Sequence, residues 1–171
     1  MSASCSELKW VDNHCHFDEN DEVAMDLQEA ANKGVEKFIV VGTDLETSLK
    51  AKELSQIFPE KIFATAGIHP HEAIHGTHGI EALLSEGQIV AVGECGFDFY
   101  YDHSPHEEQE KAFREQITYA HKFNLPLVIH TREAWNETFK VLDEMEMPSK
   151  TVFHCFTCLL YTSDAADDLT R

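Results

Sequence analysis

Apolar and polar positions alternate between two rhythms along the 171-residue chain. Short strand-like segments occur at 10–16, 37–42, 62–67, 89–94, 127–130 and 151–156, of which 37–42 is a continuous apolar run. Such runs mark strands of a parallel sheet, buried on both faces. Stretches of helical period separate them. The segment 19–33 ends at Gly34, a residue suited to a helix C-cap. The next helix turns Leu49, Leu54 and Ile57 inward and stops at Pro59. A short helix follows over 79–85. Ser104-Pro105-His106-Glu107 then reads as a capping box, with serine at the N-cap, proline first in the helix and glutamate third. Phe113, Ile117 and Ala120 give that helix its buried stripe, and Trp135, Phe139 and Leu142 predict one more amphipathic helix. No repeat, linker or low-complexity segment interrupts the series.

Repeated strand–helix units imply a parallel sheet, which is either open and doubly wound or closed into a (β/α)8 barrel. An open nucleotide-binding sheet would carry a glycine-rich phosphate loop after its first strand, and this chain has none. Metal-ligand-type residues instead end the first, fourth, fifth and sixth runs, at His14, His16, Glu94, His130 and His154. In a barrel those strand ends form one ring around one pocket. The expected fold is therefore a TIM-type barrel. A complete one takes about 250 residues, so only about six of the eight units fit.

Composition changes this picture in two places. The net charge of −18 argues against a basic groove tracking long nucleic acid, although metal ions in a nuclease would supply local positive charge. The five cysteines are odd in number and unevenly spaced, so no disulfide framework is expected. Cys15, Cys95 and Cys155 each neighbour a candidate ligand, which predicts buried thiols on the opposite pleat. Cys155-x-x-Cys158 lacks the second pair that a zinc or redox motif needs. With no signal peptide or membrane-length apolar run, a cytoplasmic location is expected, without a membrane or an obligate protein partner.

Asp12-Asn13-His14-Cys15-His16 carries the first chemistry. Alternation along a strand turns Asp12, His14 and His16 to one face, where two imidazoles converge as ligands for a divalent ion. The set His14, His16, Glu94, His130 and His154 suits two divalent ions bridged by a carboxylate, with Mg2+, Mn2+ and Zn2+ as candidates. Asp12 reads as a group orienting a ligand histidine. Asp98, Phe99, Tyr100 and Tyr101 either line the mouth of the site or pack its loop. His75, His78, His103, His106 and His121 read as solvated surface residues.

Five segments then resemble the TatD family of metal-dependent deoxyribonucleases, in the family's order and spacing from residue 10 to residue 157. They are Val11-Asp12-Asn13-His14-Cys15-His16, Gly67-Ile68-His69-Pro70-His71, Val92-Gly93-Glu94-Cys95-Gly96-Phe97-Asp98-Phe99-Tyr100, Pro126-Leu127-Val128-Ile129-His130-Thr131-Arg132 and Val152-Phe153-His154-Cys155-Phe156-Thr157. The resemblance implies a (β/α)8 barrel that hydrolyses phosphodiester bonds in DNA, often from an end. It assigns His14 and His16 to a first metal, Glu94 to a bridge, and His130 and His154 to a second metal. It makes His69, His71 and Arg132 contacts to substrate phosphate, with Arg132 also able to pair with Glu133 or Asp143. Many related amidohydrolases carry a modified lysine on the fourth strand, where this chain has Glu94.

The likeness stops after Thr157. The family pattern would continue with a glycine, a helix and two further β-α units, carrying an aspartate that completes the first metal site. Residues 158–171 match none of this, and Asp164, Asp167 and Asp168 follow no plausible strand. The expected organisation is a partial hydrolase barrel over 1–157 and a non-family tail over 158–171, read as an artefact joined to a truncated gene, with a natural short variant as the alternative. A barrel short of two strands exposes two edges, so poor activity is expected of this chain alone. DNA, at an end or single-stranded, is the expected substrate. The alternatives are a hydrolase of a small ester, amide or aminoacyl compound, and a non-catalytic metal-binding fragment.

Overall fold

A computed structural model describes residues 9–18 and 22–155. Six strands, β1 (Trp10–Cys15), β2 (Val35–Val40), β3 (Ile62–Ala66), β4 (Ile89–Asp98), β5 (Leu127–Arg132) and β6 (Thr151–Phe153), form one parallel sheet in the order of the sequence. Helices α1 (Val23–Asn32), α2 (Leu45–Ile57), α3 (Ile80–Ser85), α4 (His106–Phe123) and α5 (Trp135–Met145) connect them, with a 3-10 turn at Pro70–His75. A doubly wound sheet reverses its strand order at a switch point, whereas this one never reverses. The sheet curls into a partial TIM-type barrel.

The core lies between the convex face of the sheet and the helices. Phe97 of β4 meets Phe113 of α4 edge to face at 5.4 Å, and Leu27, Ile62, Ile117, Leu127 and Ile129 are fully buried around them. The concave face is open. Ile39, Val41, Val90, Val128 and Val152 line a cavity of about 300 Å³ inside the curl, and Val152 is 51% exposed. Among the described residues β1 and β6 each pair with one strand only.

Several local expectations need correction. Leu49 and Ile57 point outward, because α2 lies against β3 through the small side chains Ser48 and Ala51. Ser104 does not cap α4: its hydroxyl donates to the His71 carbonyl at 2.7 Å and accepts the Ile74 N–H at 3.1 Å, fastening the 3-10 turn. A full capping box instead starts α2, where Asp44 accepts the Thr47 N–H and the Thr47 hydroxyl accepts the Asp44 N–H. On α5, Leu142 is buried beside Thr138 and Val141, while Phe139 is exposed, stacks with Trp135 and meets Phe153 at a tilt of 48°. Cys95 is buried and Cys15 half-buried, but Cys155 is exposed just past the short edge strand β6. Burial, with Asp12 adding to it, pushes the Cys15 thiol up to about 12, so it is inert at neutral pH. Phe156, Cys158 and the tail 158–171 lie outside the described residues. No helix among the described residues is long and apolar enough to cross a membrane.

Candidate metal centre

The site forms at the C-terminal ends of the strands around Glu94, a residue of β4 that is only 4% exposed. Two glycines bring it there. Gly93 (φ +126°) and Gly96 (φ +135°) adopt backbone conformations that side chains disfavour. A Cβ on Gly96 would lie 2.1 Å from the His130 carbonyl oxygen, and one on Gly93 2.4 Å from that of Val128. β4 therefore approaches β5 more closely than substituted residues permit. The pairing shifts register between Val92 and Cys95, and the Glu94 N–H reaches the Gly42 carbonyl at 3.1 Å.

Three imidazoles surround the Glu94 carboxylate. His14 Nε2 lies 3.2 Å from Oε2, His130 Nδ1 3.0 Å from Oε1, and His154 Nε2 4.0 Å from Oε1. Burial alone would raise the Glu94 carboxyl, but the bonds from His130 and His14 outweigh it and hold the group well below the carboxylate range. His130 shows the converse. Burial lowers its basicity, yet Glu94 on Nδ1 and Asp98 on Nε2 leave it more basic than a free histidine. His69 is pulled down to about 3 by burial and then by the charge of His130, so it is neutral at physiological pH. Its Nδ1 accepts the His71 N–H at 3.2 Å, which leaves the ring proton on Nε2.

Possible ligand atoms fall into two groups that share Glu94: His14 with His154, and His69 with His130, each within 4.8 Å. The chemistry fits divalent cations, since each group offers two imidazole nitrogens and one buried, ionised carboxylate oxygen. The rings of His14 and His154 stack at 3.4 Å, joining the two edge strands across the mouth of the curl. His16 lies outside both groups. It donates from Nδ1 to the Val41 carbonyl at 3.1 Å, the contact that typically leaves Nε2 of a metal-binding histidine available.

The remaining candidates have defined partners. Asp12 accepts the His14 backbone N–H at 3.2 Å, so it acts on the strand end and not on a ligand ring. His71 donates from Nε2 to Asp98 Oδ2 at 3.0 Å, and its ring contacts those of His69 and His103. The Arg132 guanidinium covers the Tyr100 and Tyr101 rings, in place of the pairing with Glu133 or Asp143 that the sequence allowed. Sequence reasoning missed two roles. His69 joins a ligand group, and Asp98, 1% exposed, accepts from both His71 and His130. A signal for Asp98 existed, since its even spacing from Glu94 along one strand favours the same face.

Comparison with known proteins agrees with this geometry. The pattern of the family described as TatD related DNase matches residues 11–166, so it runs into the tail that the motifs set apart. A 3'-5' ssDNA/RNA exonuclease TatD from a Rahnella strain is 35% identical over 138 residues, covering 77% of this chain and 52% of that protein. The uncharacterized metal-dependent hydrolase YabD of Bacillus subtilis is 34% identical over 155 residues, covering 85% and 60%. The chain thus spans roughly half the length of such curated relatives. The crystal structure of YJJV, a TatD homologue from Escherichia coli K12, superposes with a TM-score of 0.80 at 28% identity, over 94% of this chain and 65% of that one. Fold, motif order and a shared buried carboxylate all converge, and the chain belongs to the TatD-related DNase family of hydrolases.

Proposed function

We propose that the protein hydrolyses phosphodiester bonds at an end of single-stranded DNA or RNA with two divalent metal ions, Mg2+, Mn2+ or Zn2+. The observation that carries this reading is Glu94, one buried carboxylate shared by two pairs of imidazoles. Relatives named as 3'-5' ssDNA/RNA exonucleases support the substrate class. Residues 1–157 would form the hydrolase portion.

His14, His16 and His154 would hold one ion and His130 the other, with Glu94 between them. Bound there, such ions lower the pKa of a water and neutralise phosphoryl oxygens. The protein's own groups do the rest. Glu94 keeps its charge in a poorly solvated position, so its attraction for cations is little screened. Asp98 fixes the rings of His130 and His71. His69, being neutral, presents Nε2–H to a phosphate oxygen as a hydrogen-bond donor without charge. Arg132, at the end of β5, supplies a cation for the scissile or adjacent phosphate. Turnover by the 171-residue chain alone would be slow, because His14 and His154 sit on strands paired on one side only among the described residues.

The test is digestion of end-labelled single-stranded oligonucleotides with Mn2+ or Mg2+. Stepwise shortening that disappears in Glu94→Gln is expected. Intact oligonucleotides alongside cleavage of small ester, amide or aminoacyl substrates would overturn the reading in favour of a related hydrolase.

A further inference from the structure

Beyond the metal centre, the loop after β4 carries two tyrosines at the rim. Tyr100 is 54% and Tyr101 52% exposed, although each has large apolar area to hide. Their rings meet at 89° with centroids 4.7 Å apart. The Arg132 guanidinium fits the corner between them, 4.3 Å from the Tyr100 centroid and 4.8 Å from that of Tyr101. Such an arrangement does not hide the rings. It holds them still while leaving half their surface to solvent.

The rim is tied to the centre by one carboxylate. Asp98 Oδ1 accepts the backbone N–H groups of both Tyr100 and Tyr101 at 3.0 Å, while Oδ2 accepts His71 and His130. The same residue thus fixes the tyrosine backbone and two rings of the site. Ring contacts continue inward without a break, from Tyr101 to His71 at 5.7 Å, to His69 at 4.4 Å and to His130 at 4.4 Å. One wall of the site is aromatic from its rim to Glu94.

Electrostatics say what such a wall is for. With 31 acidic against 13 basic side chains, the protein has little means of holding a polyanion by surface charge. Affinity for a single strand must then come from uncharged contacts, and every base has a face that stacks on an aromatic ring or a guanidinium plane. We infer that Tyr100, Tyr101 and Arg132 form a stacking subsite for a nucleobase next to the bond being cut. The inference rests on the nucleic-acid reading of the site, and Arg132 takes the phosphate beside the stacked base. Base identity matters little there, whereas the presence of a base matters.

The test compares two probes that share a sugar phosphate, dAMP and 2-deoxyribose 5-phosphate, by calorimetric titration with Mn2+ present. In the wild-type chain dAMP binds about tenfold more tightly, the scale of one stacked base. The double variant Tyr100→Leu/Tyr101→Leu narrows that ratio to about twofold, whereas Tyr100→Phe/Tyr101→Phe keeps it. Equal affinity for the two probes in the wild type, or a ratio intact in the leucine variant, overturns the subsite. A preserved preference for dAMP in a protein that leaves oligonucleotides uncut upholds the subsite and overturns the nuclease reading instead.

Discussion

The central strands and the edge strands contribute to the same centre on different terms. β3, β4 and β5 are each paired on both sides and packed against buried helix faces, and β4 is buried along nearly its whole length. Around them hydrogen bonds fix the side chains: His130 is held between Glu94 and Asp98, and His69 accepts the His71 N–H. His14 and His154 stand at the ends of β1 and β6, beside the exposed Trp10, Val11 and Val152. Their positions depend on curvature that brings the two edges together, where their rings stack on each other. One half of the centre is built by the core and the other by the closure of the curl. The difference teaches that a strong local motif, such as the paired histidines at the end of β1, does not by itself mark the more rigid half.

The largest effect should come from the residue common to both halves. Glu94→Gln is expected to lower hydrolysis by on the order of 10³-fold, the scale of losing a preorganised charge in a dry site, read as the single-turnover rate on a labelled oligonucleotide. Asp98→Asn touches only the central half: it should cost about 10–100-fold in metal affinity or rate. His154→Asn should release the edge-held ion while the central one stays bound, as elemental analysis after gel filtration would show. Equal loss of both ions would break the comparison.

Stability should divide along the same line. Gly96→Ala forces a Cβ against the His130 carbonyl and should cost about 3 kcal/mol or more, measured by urea unfolding. Trp10→Lys at the exposed edge should change stability by no more than about 0.5 kcal/mol while raising solubility. A further effect concerns acid. His69 has a folded-state pKa of about 3 against an unfolded value near 6.5, so the unfolded chain binds the extra proton and stability falls as pH drops from about 6.5 toward 3. In metal-free protein His69→Gln should flatten this slope relative to wild type. An unchanged slope would mean that His69 is not buried neutral.

Much of the fold was legible because parallel strands, buried on both faces, write continuous apolar runs such as Lys37 to Gly42. Their ordering into a curl followed from ligand-type residues at successive strand ends. The misreadings share a cause. Leu49 and Ile57 satisfy a helical period, but α2 approaches β3 through Ser48 and Ala51, and only the packing distance decides which stripe faces in. Ser104 has the composition of a cap, yet a turn about thirty residues earlier in the chain takes its hydroxyl. In the site, residue type and strand position disclosed the donors. The grouping of His14 with His154 and of His69 with His130 depends on strand curvature and on two backbone glycines, which no spacing along the chain expresses.

The most direct test of the account is metal stoichiometry by calorimetric titration with Mn2+, comparing the wild-type chain with Glu94→Gln. Two ions per wild-type chain, with neither bound tightly in the variant, is the expected result. Unchanged stoichiometry and affinity in Glu94→Gln would contradict the claim that one buried carboxylate organises the centre.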